Sequence, residues 1–527
     1  MGVGYFTVSL ALNTGRSGDD MAGLKFSTAS VPISFKKLNG GLNSTAGPLG
    51  LEANEFSELQ NIDFDKFGSF QKRNGYTALN TTAFNSSARW TGLAWFELAS
   101  GTRYIVGTCG NKLAKMDSLD GTWDDITGAL TITAGSLTNF SIFRDNLLGT
   151  NNTDVPFLWT GTGDGSAMTV PTGLTTAKCV EVFSSYTFLA NVLVSSTAYR
   201  SRVYWSALDS ISSWDSADFN DVYRDDGQTI VAIKTLADRL VIFKERSIHL
   251  AFFTGDADVP FRFQKSNSVV GCVAQYSVQE VDNGLVFLAS DGLYYFDGNN
   301  SFKISDRISE TIQGYNSTQF DEAVSIYQHS KNRYWLSMPT SASSTNDTVI
   351  VWDSFNNALS IYDGMAPSAM VMVYNNGVDE RPYWGDYSGF VYRGDTGTDD
   401  YILNVQTAID AYAWTRWIDF EDLCDQKGIP NIYIYYKLTS ATMTLSYSYD
   451  FQGSAQYTLT FLTSTSSSAY GSAMYGTGTY AATGGAYKRQ DLTGRGRVVR
   501  FKFANSTLAE TFRIDGFGTF AHLETNV

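Results

Sequence analysis

"LVFLASDGLYYFDGNN", residues 285–300, sets the fold. An apolar run, Asp291-Gly292, an aromatic run and Asp297-Gly298 follow one another, and an Asp-Gly step supplies the positive φ angles of a tight hairpin turn. Along the first run Leu285, Phe287 and Ala289 point one way, Val286 and Leu288 the other. A strand that is apolar on both faces must be covered on both faces. Sheets stacked against sheets satisfy that demand.

The same unit recurs along the chain. Hairpins of this kind are expected at 103–117, 140–152, 182–194, 240–256, 349–364 and 381–397. The irregular spacing of their turns, roughly 30 to 65 residues, matches four-stranded propeller blades. The expectation is an all-β chain with a β-propeller of six or seven irregular blades over residues 85–402; stacked β-sandwiches are the alternative. Past residue 402 the pattern changes. "NIYIYYKLTSATMTLSYSYD" (431–450), "GRGRVVRFKF" (494–503) and "TFRIDGFGTFAH" (511–522) predict a smaller, sandwich-like platform domain over 403–527. Within it the small-residue arm 463–488 carries Tyr470, Tyr475 and Tyr480 five apart, candidates for contact with a neighbouring subunit or partner. Residues 1–32 read as a flexible tail and 33–84 as a lead-in segment packing on the platform. Two short helices are expected, one at "NEFSELQNID" (54–63), the other at "DRISETIQGY" (306–315), capped by Asp306.

Composition agrees with a β framework. Of 527 residues 43% are hydrophobic, 17% charged and 14% aromatic, with 30 Tyr and 34 Phe; such residues favour pleated, half-buried strands, and the length predicts two or three domains. The formal charge of −15 argues against a protein that grips DNA or an anionic membrane. No stretch reaches about 18 apolar residues, so no span of a membrane is expected. Cys109, Cys179, Cys272 and Cys424 lie far apart, predicting buried small hydrophobes rather than a disulfide or zinc framework.

Motifs for catalysis are lacking, and no cofactor or metal is expected. His249 sits in the apolar strand "SIHLAFF", where packing is the natural role; His329 and His522 have no partner at metal-ligand spacing. "DFNDVYRDDGQ" (218–228) has the charge of a calcium loop, but Val222 stands where an oxygen ligand is needed. A glycan-binding or glycan-cleaving propeller stays open as an alternative, since its two carboxylates could come from any of 53 acidic residues.

Several of these stretches together resemble one family. "GGLNSTAGPLGLEANEFSELQNIDFDKFGSFQKRNGY" (40–76) is similar to the start of tail nozzle (tail tubular) and packaged-DNA-stabilisation proteins of short-tailed bacteriophages. "RVYWSALDSISSWDSADFNDV" (202–222), "DRLVIFKERSIHL" (238–250) and "DGLYYFDG" (291–298) resemble its blades, and "GRGRVVRFKF" its platform. The resemblance implies a structural virion protein assembled in the bacterial cytoplasm: a ring, usually of six copies, forming the end of a short tail. It also implies an adaptor ring above, fibres or a needle attached, and passage of double-stranded DNA. A packaged-DNA plug below the portal is the related possibility. No gate residue carries over.

Overall fold

The computed structural model describes residues 30–117, 119–375, 379–403, 405–437, 439–463 and 486–523. Among them seven four-stranded antiparallel sheets follow one another along the chain. Blade one spans 90–125, blade two 139–167, blade three 174–221, blade four 230–265, blade five 279–303 and blade six 324–362. Blade seven takes three strands from 369–393 and its outermost strand, Thr77–Ala78, from ahead of blade one, pairing Tyr392 with Ala78 and Arg393 with Thr77. The innermost strand of blade seven, Ala369–Asn375, packs on that of blade one, Trp90–Glu97, so the wheel is closed. The fold is a seven-bladed β-propeller.

Blade five shows why the sequence chose it. Leu285, Phe287 and Ala289 join a core with Val241, Phe243 and Leu250 of blade four. Val286, Leu288 and Leu293 join the opposite core with Tyr334, Leu336 and Ile350 of blade six. Every residue of the strand Gly284–Ala289 is buried. The first hairpin turn lies one residue earlier than the Asp-Gly step suggests, on Ser290-Asp291, because Ala289 pairs with Gly292. At the second turn Asp297 Oδ1 accepts hydrogen bonds from the amides of Asn299 and Asn300.

The platform is a sandwich of two sheets. Six strands form one in the order Gly41–Leu42, Glu55–Gln60, Ala411–Thr415, Val499–Asn505, Thr442–Tyr449, Tyr457–Leu462. The other has eight, organised on the long strand Arg513–Leu523, which pairs with Ser30–Phe35, Phe70–Lys72, Lys427–Gly428 and Asn431–Tyr436. Aromatic rings from both sheets meet between them: Phe56 with Phe70 at 5.2 Å, Phe70 with Phe503 at 6.0 Å, Phe503 with Phe517 at 5.3 Å. Such pairs add to area burial through edge and offset geometry.

Several expectations are corrected here. The tail cannot run to residue 32, since Ser30, Val31 and Pro32 already pair with His522, Ala521 and Phe520. Residues 33–84 do not lie on the platform as a separate segment; they supply strands to both its sheets and then close blade seven. "NEFSELQNID" is not a helix: Glu55–Gln60 is a strand between Gly41–Leu42 and Ala411–Thr415. Pairing on both sides outweighs a local acidic-turn preference. The helix at Ser309–Gln313 is present, but no side chain caps it and Asp306 belongs to the 3₁₀ turn before it. Cys109, Cys179 and Cys272 are buried, whereas Cys424 is exposed on the loop before Lys427. Residue 402 falls inside a hairpin, Asp400–Ile402 with Val405–Thr407, that links wheel to platform.

Replacing Phe287, wholly buried between blades four and five, with Ala is expected to lower unfolding free energy by about 3–5 kcal/mol. Urea denaturation followed by tryptophan fluorescence measures this; an effect below about 1 kcal/mol would mean the blade interface repacks around the loss.

Candidate functional site

The opening segment 40–76 holds wheel and platform together. Gly41 presses on blade six: it has φ +81°, and a Cβ there would stand 2.6 Å from the Leu359 amide nitrogen. The outermost strand of blade six, Ala358–Tyr362, lies against Gly41–Leu42, Glu55–Gln60 and Ile62–Phe64. Asn61, at φ 56°, donates its amide to Ile361 O at 2.8 Å, and Ser360 Oγ donates to Ile62 O at 2.7 Å.

Two guanidinium groups lie in this seam. Arg333 of blade six donates from Nη1 to Asp63 Oδ2 at 2.7 Å, and the Tyr362 hydroxyl bonds Asp63 Oδ1. Arg73 forms a fork on Asp400, Nη1 to Oδ1 at 2.8 Å and Nη2 to Oδ2 at 2.6 Å. Its remaining donors reach Asn61 Oδ1 at 2.8 Å, Asn74 O at 3.0 Å and Asp363 O at 2.9 Å. Burial alone would depress the Arg73 pKa; the Asp400 carboxylate more than offsets it and holds the group above its ordinary value. Beside it Lys72 Nζ donates to Asn505 Oδ1 at 3.0 Å, and the Tyr76 hydroxyl to Gly364 O at 2.6 Å. At Gly75 a Cβ would stand 1.8 Å from the Asp399 carbonyl oxygen, so only glycine lets the two chains cross. Asn61, Asp63, Lys72, Arg73 and Tyr76 of the opening segment therefore do structural duty.

A cavity of about 240 Å³ lies on the propeller axis. Each blade contributes, with Thr91, Asn139, Glu181, Lys234, Gln279, Ser325 and Met370 among the lining. Glu181 is its one carboxylate among the described residues, and no arginine reaches it. Burial raises the Glu181 pKa, opposed by Lys234 Nζ at 3.8 Å.

The titratable residues singled out in the sequence fall elsewhere. His249 is buried in blade four, its Nε2 3.1 Å from Ser247 Oγ, its ring 4.6 Å from that of Tyr223. Its Nδ1 has no partner among the described residues. Burial, then Lys244, pushes its pKa down to about 4. Lys244 in turn binds both oxygens of Asp226 at 2.9 Å, so the end of "DFNDVYRDDGQ" latches onto blade four instead of wrapping an ion. His329 lies against Tyr327 and His522 against Phe520, far from any shared site. No group of three metal-ligating side chains occurs among the described residues, and no helix there is long and apolar enough to cross a membrane. Tyr470, Tyr475 and Tyr480 lie outside the described residues. Sequence reading missed Asp63, Arg73, Arg333 and Asp400 as a set, because nothing in one chain ties positions hundreds of residues apart.

The model of one protein family, described as bacteriophage P22 Gp10, beta-propeller, matches residues 63–348. The chain belongs to this family. It is thereby a bacteriophage structural protein. The matched region opens on Asp63 of the seam, takes in the closing strand of blade seven and runs through blades one to five into blade six. The match thus includes Asp63, Arg73 and Arg333 of the seam, while their partners Asp400 and Tyr362 lie beyond it. Among solved structures, a computationally designed protein named Ika8 is 13% identical, with a TM-score of 0.36, over 60% of this chain and 99% of that one. YCF48 bound to a D1 peptide is 9% identical, with a TM-score of 0.39, over 64% and 98%. Neither likeness bears on function. Among curated proteins nothing matches.

Two outcomes are expected. Arg73→Met strands Asp400 without its cation, and breaking a buried pair from one side costs about 3–5 kcal/mol; Arg73→Met with Asp400→Leu should recover much of it. Equal losses in the single and double variants, by urea denaturation, would mean that the pair is not the source. His249 has a folded pKa of about 4 against an ordinary 6.5. The unfolded chain therefore takes up a proton first as pH falls. Stability from this group is complete above pH 6.5 and is lost progressively towards pH 4. His249→Gln should flatten that part of the stability–pH curve.

Proposed function

We propose that the chain is the nozzle subunit of a short phage tail, a ring-forming conduit for genome ejection that joins an adaptor ring above and carries fibres or a needle. Membership of the P22 Gp10 propeller family supports a structural role. The observation that carries the reading further is the axis. Two carboxylates flanking a cleft are what glycoside hydrolysis needs; the axial cavity offers Glu181 alone, neutralised in part by Lys234. A wheel fixed to a platform suits a load-bearing wall. The acidic charge suits it too: a wall that repels phosphate lets a polyanion slide without accumulating held contacts.

Electron microscopy of the virions that contain this chain tests the proposal. A ring of about six copies at the end of the tail, with density for DNA on its axis during ejection, is the expected result. Density just below the portal instead would assign the chain to the packaged-DNA plug, and a free monomer that cleaves glycans would overturn the structural reading.

A further inference from the structure

The charge is not spread evenly. Residues 77–404, the closing strand, wheel and linking hairpin, hold 21 Lys and Arg against 36 Asp and Glu, the whole of the −15. The platform segments 30–76 and 405–523 hold 15 against 14. Each unit also presents one surface whose chemistry calls for the other's.

On the platform that surface is the edge strand Ala486–Asp491. It pairs with Asn431–Tyr436 on one side and with nothing on the other among the described residues. Tyr487 is 63% and Tyr435 50% exposed, their rings 6.0 Å apart, with Tyr433 6.4 Å from Tyr487. Lys437 and Arg489 follow them on the same face by strand alternation, and Lys488, opposite Ile434, projects from the other face of the edge strand, all three exposed; Arg489 has an exposed partner in Asp491 at 3.0 Å, and neither lysine has a carboxylate within ion-pair distance among the described residues. Natural sheets rarely leave such an edge open, and tyrosine with arginine is the composition of interface centres.

On the wheel the counterpart is the outer segment of blade three and its exit loop, residues 208–226. Leu208 is 60% and Tyr223 49% exposed. Around them stand six aspartates with one cation, Arg224. Asp209, Asp221 and Asp226 are satisfied by Arg144, Arg202 and Lys244. Asp215, Asp218 and Asp225 have no cation within ion-pair distance among the described residues. Burial, then the neighbouring Asp215, pushes the Asp218 pKa up, so an incoming cation would relieve it. Blade three lies three blades round the wheel from blade six, where the platform sits. No hydrogen bond or ion pair joins the two surfaces within one molecule among the described residues.

We propose that the platform edge 486–491, with Tyr435, Tyr487, Lys437 and Lys488, docks on segment 208–226 of blade three in the next copy of the chain. This rests on the ring reading above and supplies its contact. A patch meeting a different patch makes a head-to-tail interface, the kind that closes into a ring when the rotation allows.

The test uses the full-length chain, by mass photometry and sedimentation velocity across protein concentration and from 50 to 500 mM NaCl. The unmodified chain should self-associate, more weakly as salt rises. Lys488→Glu with Arg489→Glu, and separately Asp215→Lys with Asp218→Lys, should each weaken association about tenfold or more. All four changes in one chain should restore it to within about threefold, because the charges are exchanged rather than removed. Recovery in the fourfold variant also excludes misfolding as the cause of the losses. Self-association unaffected by either reversal would overturn this contact while leaving the ring intact. An unmodified chain that stays monomeric throughout would overturn the ring, and the contact with it.

Discussion

A guanidinium removed from water keeps its charge and must find all its partners in the protein. Arg73 finds them in Asp400, Asn61, Asn74 and the Asp363 carbonyl, drawn from the lead-in segment, the linking hairpin and the end of blade six. None of these elements alone could satisfy it. The bidentate geometry adds direction to the attraction, which lysine at this position would not supply. Asp63 poses the same demand with opposite sign and meets it through Arg333 and Tyr362. The seam between wheel and platform is therefore specific as well as apolar: sliding one unit past the other would leave two buried carboxylates and two buried cations unpaired, at a cost of several kcal/mol for each ion.

The wheel was legible in the sequence because its demand is local. Leu285, Val286, Phe287 and Leu288 leave no polar face within four residues, and that is enough to require a sheet on either side. Hairpin turns were legible for a similar reason, through aspartate, asparagine and glycine at short range. The strand Glu55–Gln60 was misread as a helix because its two pairing partners lie on either side in space, one of them more than 350 residues later. The closing strand Thr77–Ala78 gave no signal: two residues cannot show a period, and their place is fixed by Tyr392 and Arg393. The residues of the seam drew attention as a motif without revealing why, since the meaning of Arg73 resides in Asp400.

Charge segregation was equally readable by counting, yet its consequence needed the fold. A count over the whole chain gives an acidic protein. Once residues 77–404 are known to form one body, the same count gives an acidic wheel on a near-neutral platform. Long-range repulsion between wheels then opposes side-by-side stacking of like surfaces and favours contacts that bring platform to wheel. Such a charge distribution would make association between copies directional without any change to the core.

The path of the chain adds a kinetic consequence. The lead-in emerges first, but the strands it joins come last: Lys72 waits for Asn505, and Ser30–Phe35 for Arg513–Leu523. Blades one to six can form as consecutive hairpins, whereas blade seven, the seam and both platform sheets need contacts between residues several hundred positions apart. Contacts of such separation carry the largest loop-closure cost and form late. Until they form, the wheel has an open outer edge at blade seven and no platform to present. The edge Ala486–Asp491 exists only when Asn431–Tyr436 is already in its sheet, so a subunit acquires the surface proposed for its neighbour only once this late part of the platform has formed.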